Sequence, residues 1–129
     1  MNDLLKAMGA ASSGMHAQSA RLRISTENIA NADTPGFRRK IVTFEMLDPE
    51  RNARAVATGR TYTSEAELQR IYDPAHPMAG EDGMYDGSNV NLVVELADAR
   101  EAQRSYEANL RMFDQARNMG TALLDLIRR

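Results

Sequence analysis

Between residues 92 and 127 one helix face recurs at alternating steps of four and three: Leu92, Leu96, Ala99, Gln103, Tyr106, Leu110, Phe113, Arg117, Gly120, Leu124 and Ile127. The steps hold without a break. That is the seven-residue period of a long helix lying along a partner. A second stripe, Met112, Ala116, Met119, Leu123 and Leu126, joins it late. The final turns are therefore apolar over a wider face than one seam needs. Glu107 with Arg111, and Asp125 with Arg129, are i,i+4 pairs in the favourable order. Asn91 or Ser88 is placed to cap the start. A helix over residues 91–129 is about 57 Å long at roughly 1.5 Å per residue. Such an element needs something equally long beside it.

Residues 3–32 predict that second element. Leu4, Met8, Ala11, Met15, Leu22, Ile29 and Ala32 recur at steps of three, four or seven, with Gln18 and Ser25 at the skipped positions. The helix is about 45 Å long on the same rise. Its GAASSG stretch, residues 9–14, is nearly all small. Two glycines there cost roughly 1 kcal/mol each relative to alanine, but small residues let another helix come close.

The helix stops at NIANADTPGFRRK, residues 28–40. Pro35 lacks an N–H and pushes Thr34 out of the helical region. Gly36 tolerates a positive φ, so Pro35-Gly36 suits the centre of a type II turn. Asn28 and Asn31 lie one turn apart on one face. They either bond local backbone carbonyls or lie across a subunit contact. FRRK, residues 37–40, offers cations that favour the helix dipole or, alternatively, contact phosphate.

Between the helices the texture changes. KIVTF (40–44), AVATGRTYTS (55–64) and ELQRIY (67–72) are strand-prone, and DPAHPMAGEDGMYDGSN (73–89) is dense in turn formers. The expected fold is mainly α. Two long terminal helices pack as an antiparallel coiled-coil-like pair, with a small β-rich or irregular insert. The expected division is 1–39 and 89–129 for the two helical ends and 40–88 for the insert.

Composition limits what this body does. Leu, Ile, Val and Phe total 24 of 129 residues, whereas alanine alone accounts for 19. The core is thin, yet the net charge of −2 argues against disorder throughout. A protein that completes its core against partners is expected. Residues 1–40 carry six basic and three acidic groups, residues 41–88 four and nine, and residues 89–129 six of each. No concentrated basic face emerges, so nucleic acid is not an expected partner. The absence of cysteine excludes disulfides, thiol chemistry and thiolate zinc sites. MNDLLKAMGAASSG has no charged start followed by about 7–15 apolar residues, so no ordinary secretory signal is expected. No apolar run approaches the roughly 18 residues of a membrane span, so no direct membrane insertion is expected.

Nothing in the chain asks for catalysis. His16 lies within the first helix as a surface group. His76, between two prolines in DPAHP, reads as a structural loop residue. Asp73, His76, Asp82 and Asp86 match no compact ligand scheme, and EDGMYDGSN lacks the alternate acidic residues and terminal Glu of a calcium loop. The P-loop, G-x-G-x-x-G and G-x-S-x-G patterns are all missing. No enzyme, cofactor or metal is expected.

NIANADTPGFRRK, with SGMHAQSARLRISTENIA before it, resembles the N-terminal signature of flagellar axial proteins, the family of rod, hook and hook-associated subunits. Asn28, Ile29, Ala30, Asn31, Thr34, Pro35, Gly36 and Phe37 carry it. YDPAHPMAGEDG (72–83) and NVNLVVELADAREAQRSYEANLRMFDQARNM (89–119) resemble the proximal-rod members, most closely over residues 104–109. Residues 45–70 carry no resemblance, GMYDGSNVN is more turn-like than the strand usual there, and Val94 replaces a carboxylate often found early in the second helix.

The resemblance implies a structural subunit exported by the flagellum-specific type III route without a cleaved signal. Such subunits assemble in the periplasm into a helical tube that transmits torque and serves as the export conduit. Implied partners are other copies, other flagellar rod proteins, the rod-base adaptor protein and the export apparatus. The implied assembly interface combines Met8, Met15, Leu22 and Ile29 with the turn residues Asn28, Asn31, Thr34, Pro35, Gly36 and Phe37. On the second helix it takes Leu96, Tyr106, Asn109, Leu110 and Phe113, then Met119, Leu123, Leu124 and Ile127. A soluble helical-hairpin adaptor that binds one partner without polymerising is the alternative.

Overall fold

A computed structural model describes residues 2–47 and 55–128. Helix α1 spans Asn2–Ala30 and helix α2 spans Leu92–Arg128, with four short strands between them. Both helices match the expected elements to within two residues at each end.

The ends of the helices follow local chemistry. Past α1 the backbone tightens: the Asn31 N–H donates to Glu27 O (3.1 Å) and Asn28 O (3.2 Å), and the Ala32 N–H to Ile29 O (3.2 Å). The expected type II turn follows, with the Phe37 N–H donating to Thr34 O at 3.2 Å and Gly36 at φ 75°. At the start of α2 the cap is Asn91. Its Oδ1 accepts from the N–H groups of Val93 (3.0 Å) and Val94 (3.4 Å). Val94 stands where a capping box needs a Glu or Gln, so the cap is one-sided. Ser88, the other candidate, instead donates its hydroxyl to the Ala32 carbonyl and ties the approach of α2 to the exit of α1.

The helices pack antiparallel. Gly14 meets Asn109 and, further along, Arg21 meets Asp98. A Cβ at Gly14 would lie 2.8–2.9 Å from the Asn109 carboxamide. The small stretch therefore serves an approach within the chain at Gly14, whereas Gly9 has open space around it.

The inner face of α2 is not the stripe that defines its period. Its buried residues are Glu95, Ala102 and Ala116. Asn109, half-buried, completes a seven-residue series with them. This face lies one residue, about 100°, around the helix from Leu96, Leu110 and Leu124, which are exposed. Small residues win the intramolecular seam because they let two backbones come close. On α1 the buried residues are Ala11, Ala17, Ile24, Ser25 and Asn28.

Of the two expected forms of the insert, β-rich or irregular, the structure shows the first, in two small sheets. Strand β1, Lys40–Met46, pairs antiparallel with β2, Val56–Thr63, from Lys40↔Thr63 to Met46↔Val56. The register shifts between Val42 and Phe44. Gly59 belongs to this irregularity: a Cβ there would stand 2.6 Å from Thr43 Oγ1. The hairpin lies on α1, where the Val56 N–H donates to Ser13 Oγ at 3.0 Å.

Strand β3, Arg70–Tyr72, pairs with β4, Met84–Asp86. Two expectations change here. Of ELQRIY only the last three residues are a strand. MYD, expected to lie among turns, is one. Gly83, at φ 76°, turns the chain into β4 so that Tyr85 pairs with Ile71. The part of the insert at residues 48–54 lies outside the described residues.

Candidate assembly surface

The segment after α1 holds the helices and insert together. Asn28, on the last turn of α1, is 1% exposed. Its side chain donates to Lys40 O and accepts from the Lys40 N–H, both at 2.9 Å, as a paired strand would. Asn31 bonds locally instead: its amide donates to Glu27 O (2.9 Å) and its Oδ1 accepts from Thr34 Oγ1 (3.1 Å). The Gly36 N–H reaches the carbonyls of Asp86 (3.1 Å) and Gly87 (3.2 Å), so the turn docks on the end of β4. Asn89 accepts from the Arg39 N–H (2.6 Å) and donates to the carbonyls of Ser64 (3.2 Å) and Ala66 (3.0 Å).

All three cations of FRRK have partners within the chain. Arg38 donates to the Ser64 and Ala66 carbonyls at 3.3 and 3.2 Å. Lys40 pairs with Glu27. Arg39 reaches inward, with Nε on the buried Glu95 and Nη2 on Asp98 at 3.1 Å, while Arg21 of α1 holds the other oxygen of Asp98 at 3.4 Å. The sequence reading passed over Glu95, Asp98 and Arg21. The available signal was Glu95 itself, an acidic residue inside the apolar run NLVVELADA.

Most large apolar residues of α2 lie outside the intramolecular seam, whereas those of α1 are largely half-buried. On α2, Leu92, Val93, Leu96, Tyr106, Leu110 and Met112 are exposed, and so are Met119, Leu123, Leu124, Leu126 and Ile127. Ile127 is 77% exposed. Phe113 is half-buried, as are Met8, Met15, Leu22 and Ile29 on α1. In the turn, Asn31, Pro35 and Phe37 are half-buried, and Thr34 and Gly36 are exposed. Large apolar residues exposed over so long a run form a patch, unlike the singly scattered apolar residues of an ordinary surface.

The chemistry elsewhere is structural. The His76 ring stacks on Tyr85 with centroids 3.9 Å apart and planes 8° from parallel. His76 Nδ1 accepts the Met78 N–H at 3.1 Å, and the Asp73 carboxylate accepts the Ala75 N–H at 3.2 Å. Asp82 and Asp86 pair with Arg70. These groups close the β3–β4 loop. Among the described residues, no three or more His, Asp or Glu side chains form a group that could hold a metal ion. Among the described residues, no helix is long and apolar enough to cross a membrane.

Two long helices packed antiparallel and joined by a polar knot, with an apolar ridge along the outside of α2, suit a structural subunit. Known proteins agree. A family model described as flagella basal body rod protein matches residues 8–38, and one described as flagellar basal body rod FlgEFG protein C-terminal matches residues 81–126. The flagellar basal-body rod protein FlgC of Agrobacterium fabrum is 42% identical over 136 residues, covering 99% of this chain and 98% of its own. FlgC of Salmonella typhimurium is 31% identical, covering 95% and 97% of the two chains. FlgC of Aquifex aeolicus is 34% identical, covering 88% and 89%. The chain belongs to the FlgC family of flagellar basal-body rod proteins. Members of this family are structural proteins and not enzymes, and membership implies assembly with other flagellar rod components.

Proposed function

We propose that the chain is a self-assembling subunit of the proximal rod, packed through α1 and α2 against copies of itself and neighbouring rod proteins. The observation that supports this reading most is the direction of the large side chains. Leu110 and Leu124 are 41% and 46% exposed although they belong to an unbroken stripe, while alanines occupy the inner seam. Apolar burial at roughly 25 cal/mol per Å² drives such faces together. A contact that does not close on itself propagates as a helix. The tube so formed carries torque and encloses the export conduit. Its base meets the rod-base adaptor protein, and the chain reaches the periplasm through the export apparatus without a cleaved signal. The interface takes the outer residues of α2 with Met8, Met15, Leu22 and Ile29 of α1, and the turn from Asn28 to Phe37 lies at its edge.

Leu110→Asp combined with Leu124→Asp tests this reading. Both side chains point outward, so the isolated variant keeps its helix content. In cells lacking the native protein it supports neither rod completion nor swimming. Normal swimming by that variant would refute the packing scheme.

A further inference from the structure

The seam between α1 and α2 is made of residues that slide past one another at little cost. Ala11, Gly14 and Ser25 are the small residues on the α2 side of α1, and Ala102 and Ala116 are buried on α2, whereas Ala17 lines the cleft toward Val56 and Ala57 of the hairpin. Ile24 is the single large apolar side chain buried on either helix among the described residues. Methyl-sized groups make no deep knobs and holes. A displacement by one turn, about 5.4 Å, therefore exchanges one set of small contacts for another.

Four charges cross this seam. Glu95, Arg39, Asp98 and Arg21 form a balanced chain, with Asp98 held by Arg39 at 3.1 Å and by Arg21 at 3.4 Å, and Glu95 held by Arg39 Nε. Glu95 is 0% exposed, and its second oxygen, Oε2, has no partner among the described residues. A buried carboxylate satisfied on one side is a poor way to add stability. Apolar residues of similar volume do as well or better, although removing one ion alone is costly. What such a group does well is discriminate between alignments. A one-turn displacement of α2 separates all three contacts and strands Glu95 as an unpaired charge. At Gly14 the same displacement brings the Cβ of Ala10 or Gln18 against the Asn109 carboxamide, a side-chain end that can turn aside, so the small residues leave the alignment to the charges.

We propose that the chain Glu95–Arg39–Asp98–Arg21 is a register lock, which selects one axial alignment of α1 on α2 instead of adding to the stability of the pair. Arg39 is its specificity-determining residue, because it alone contacts both carboxylates. The lock is intramolecular and holds whether or not the outer stripes meet other copies.

The sequence has no cysteine, so cysteines introduced at Ser19 and Thr121, both exposed and offset by roughly 30 Å along the helix axis, carry spin labels as the sole thiols of the full chain. Pulsed dipolar spectroscopy of the labelled native sequence gives one narrow distance. With Arg39→Met and Glu95→Leu together, the urea midpoint is held or raised, and a second distance appears, displaced by about one helical turn (~5 Å). A single narrow distance in that folded double variant would overturn the proposal. Should the double variant fail to fold, Glu95→Gln decides. It keeps the shape and removes the charge, and a broadened distance in the folded variant supports the lock, whatever the midpoint. A narrow distance, with or without a lowered midpoint, refutes it.

Discussion

The Asn28 side chain and the Lys40 backbone are bonded in both directions at 2.9 Å. One carboxamide thereby joins the last turn of α1 to the first residue of β1 and completes the two-point pairing that an edge strand would otherwise take from another strand. Asn28 suits this place because a carboxamide offers a donor and an acceptor side by side, matching the C=O and N–H of one residue. The basic residues that follow then fall beside Glu27 and Glu95, and the chain enters the insert in a single direction.

Asn28→Ala removes both bonds and strands two part-buried backbone groups. The expected loss is about 2–4 kcal/mol, since an orphaned buried polar group costs roughly 1–3 kcal/mol. Asn31→Ala removes bonds that water replaces, at about 1 kcal/mol or less. Urea unfolding of the two variants measures the difference, and equal losses would contradict the ranking.

Arg39→Met alone leaves Glu95 buried without its cation and is expected to cost about 3 kcal/mol, the lower end of the range for broken buried pairs, because the Arg39 head is partly solvated. Arg70 offers the contrast. Its hydrogen bond to Asp86 and the charges of Asp86 and Asp82 hold its guanidinium above the usual value, yet its side chain is exposed. Arg70→Met is expected to leave the unfolding midpoint unchanged, because solvent screens exposed pairs. Thermal melts of the two variants at matched ionic strength check this.

Gly36 and Gly83 both sit at positive φ, 75° and 76°. Gly36 has open space around its missing Cβ, so Gly36→Ala carries backbone strain alone, about 1–2 kcal/mol. At Gly83 a Cβ would also meet Tyr72 Cε2 at 2.8 Å and Pro74 Cγ at 3.0 Å. Gly83→Ala is therefore the more damaging change, visible as faster amide exchange across β3 and β4. Comparable exchange in both variants would contradict the assigned contacts.

His76→Phe keeps the stack on Tyr85 and removes the acceptor for the Met78 N–H. The expected loss is about 1 kcal/mol, the net worth of one hydrogen bond, with motility unchanged. A loss of swimming by a stably folded His76→Phe protein would assign the imidazole a chemical role.

The helices, the type II turn at Pro35-Gly36 and the strand-prone runs of β1 and β2 were legible because each rests on a local rule: period, fixed φ and β-branching; the pairing of β1 with β2 was not. Strand β4 was not, since three residues between glycines cannot display a two-residue period. The seam between the helices was hidden for a different reason. Periodicity reports that a helix has an apolar face, not what covers it. The strong signal of Leu96, Leu110 and Leu124 therefore led toward a surface outside the chain. Ala102, Ala116 and Gly14, which make the inner contact, carry almost no hydrophobic signal of their own. Arg39 looked like one of three equivalent cations at a helix end. Its inward reach depends on α2 bringing Glu95 back across residues far apart in sequence, which no local rule encodes.

Met112 and Met119 report directly on the outer stripes, because they are 61% and 52% exposed in the free chain and thioethers oxidise according to their access. Brief peroxide treatment of isolated basal bodies and of the free subunit, followed by peptide mass spectrometry, compares the two states. If neighbouring subunits cover the α2 stripes, both methionines are protected at least severalfold in the basal body relative to the free subunit. Oxidation of Met112 and Met119 at the same rate in both would contradict the packing of rod subunits through this face.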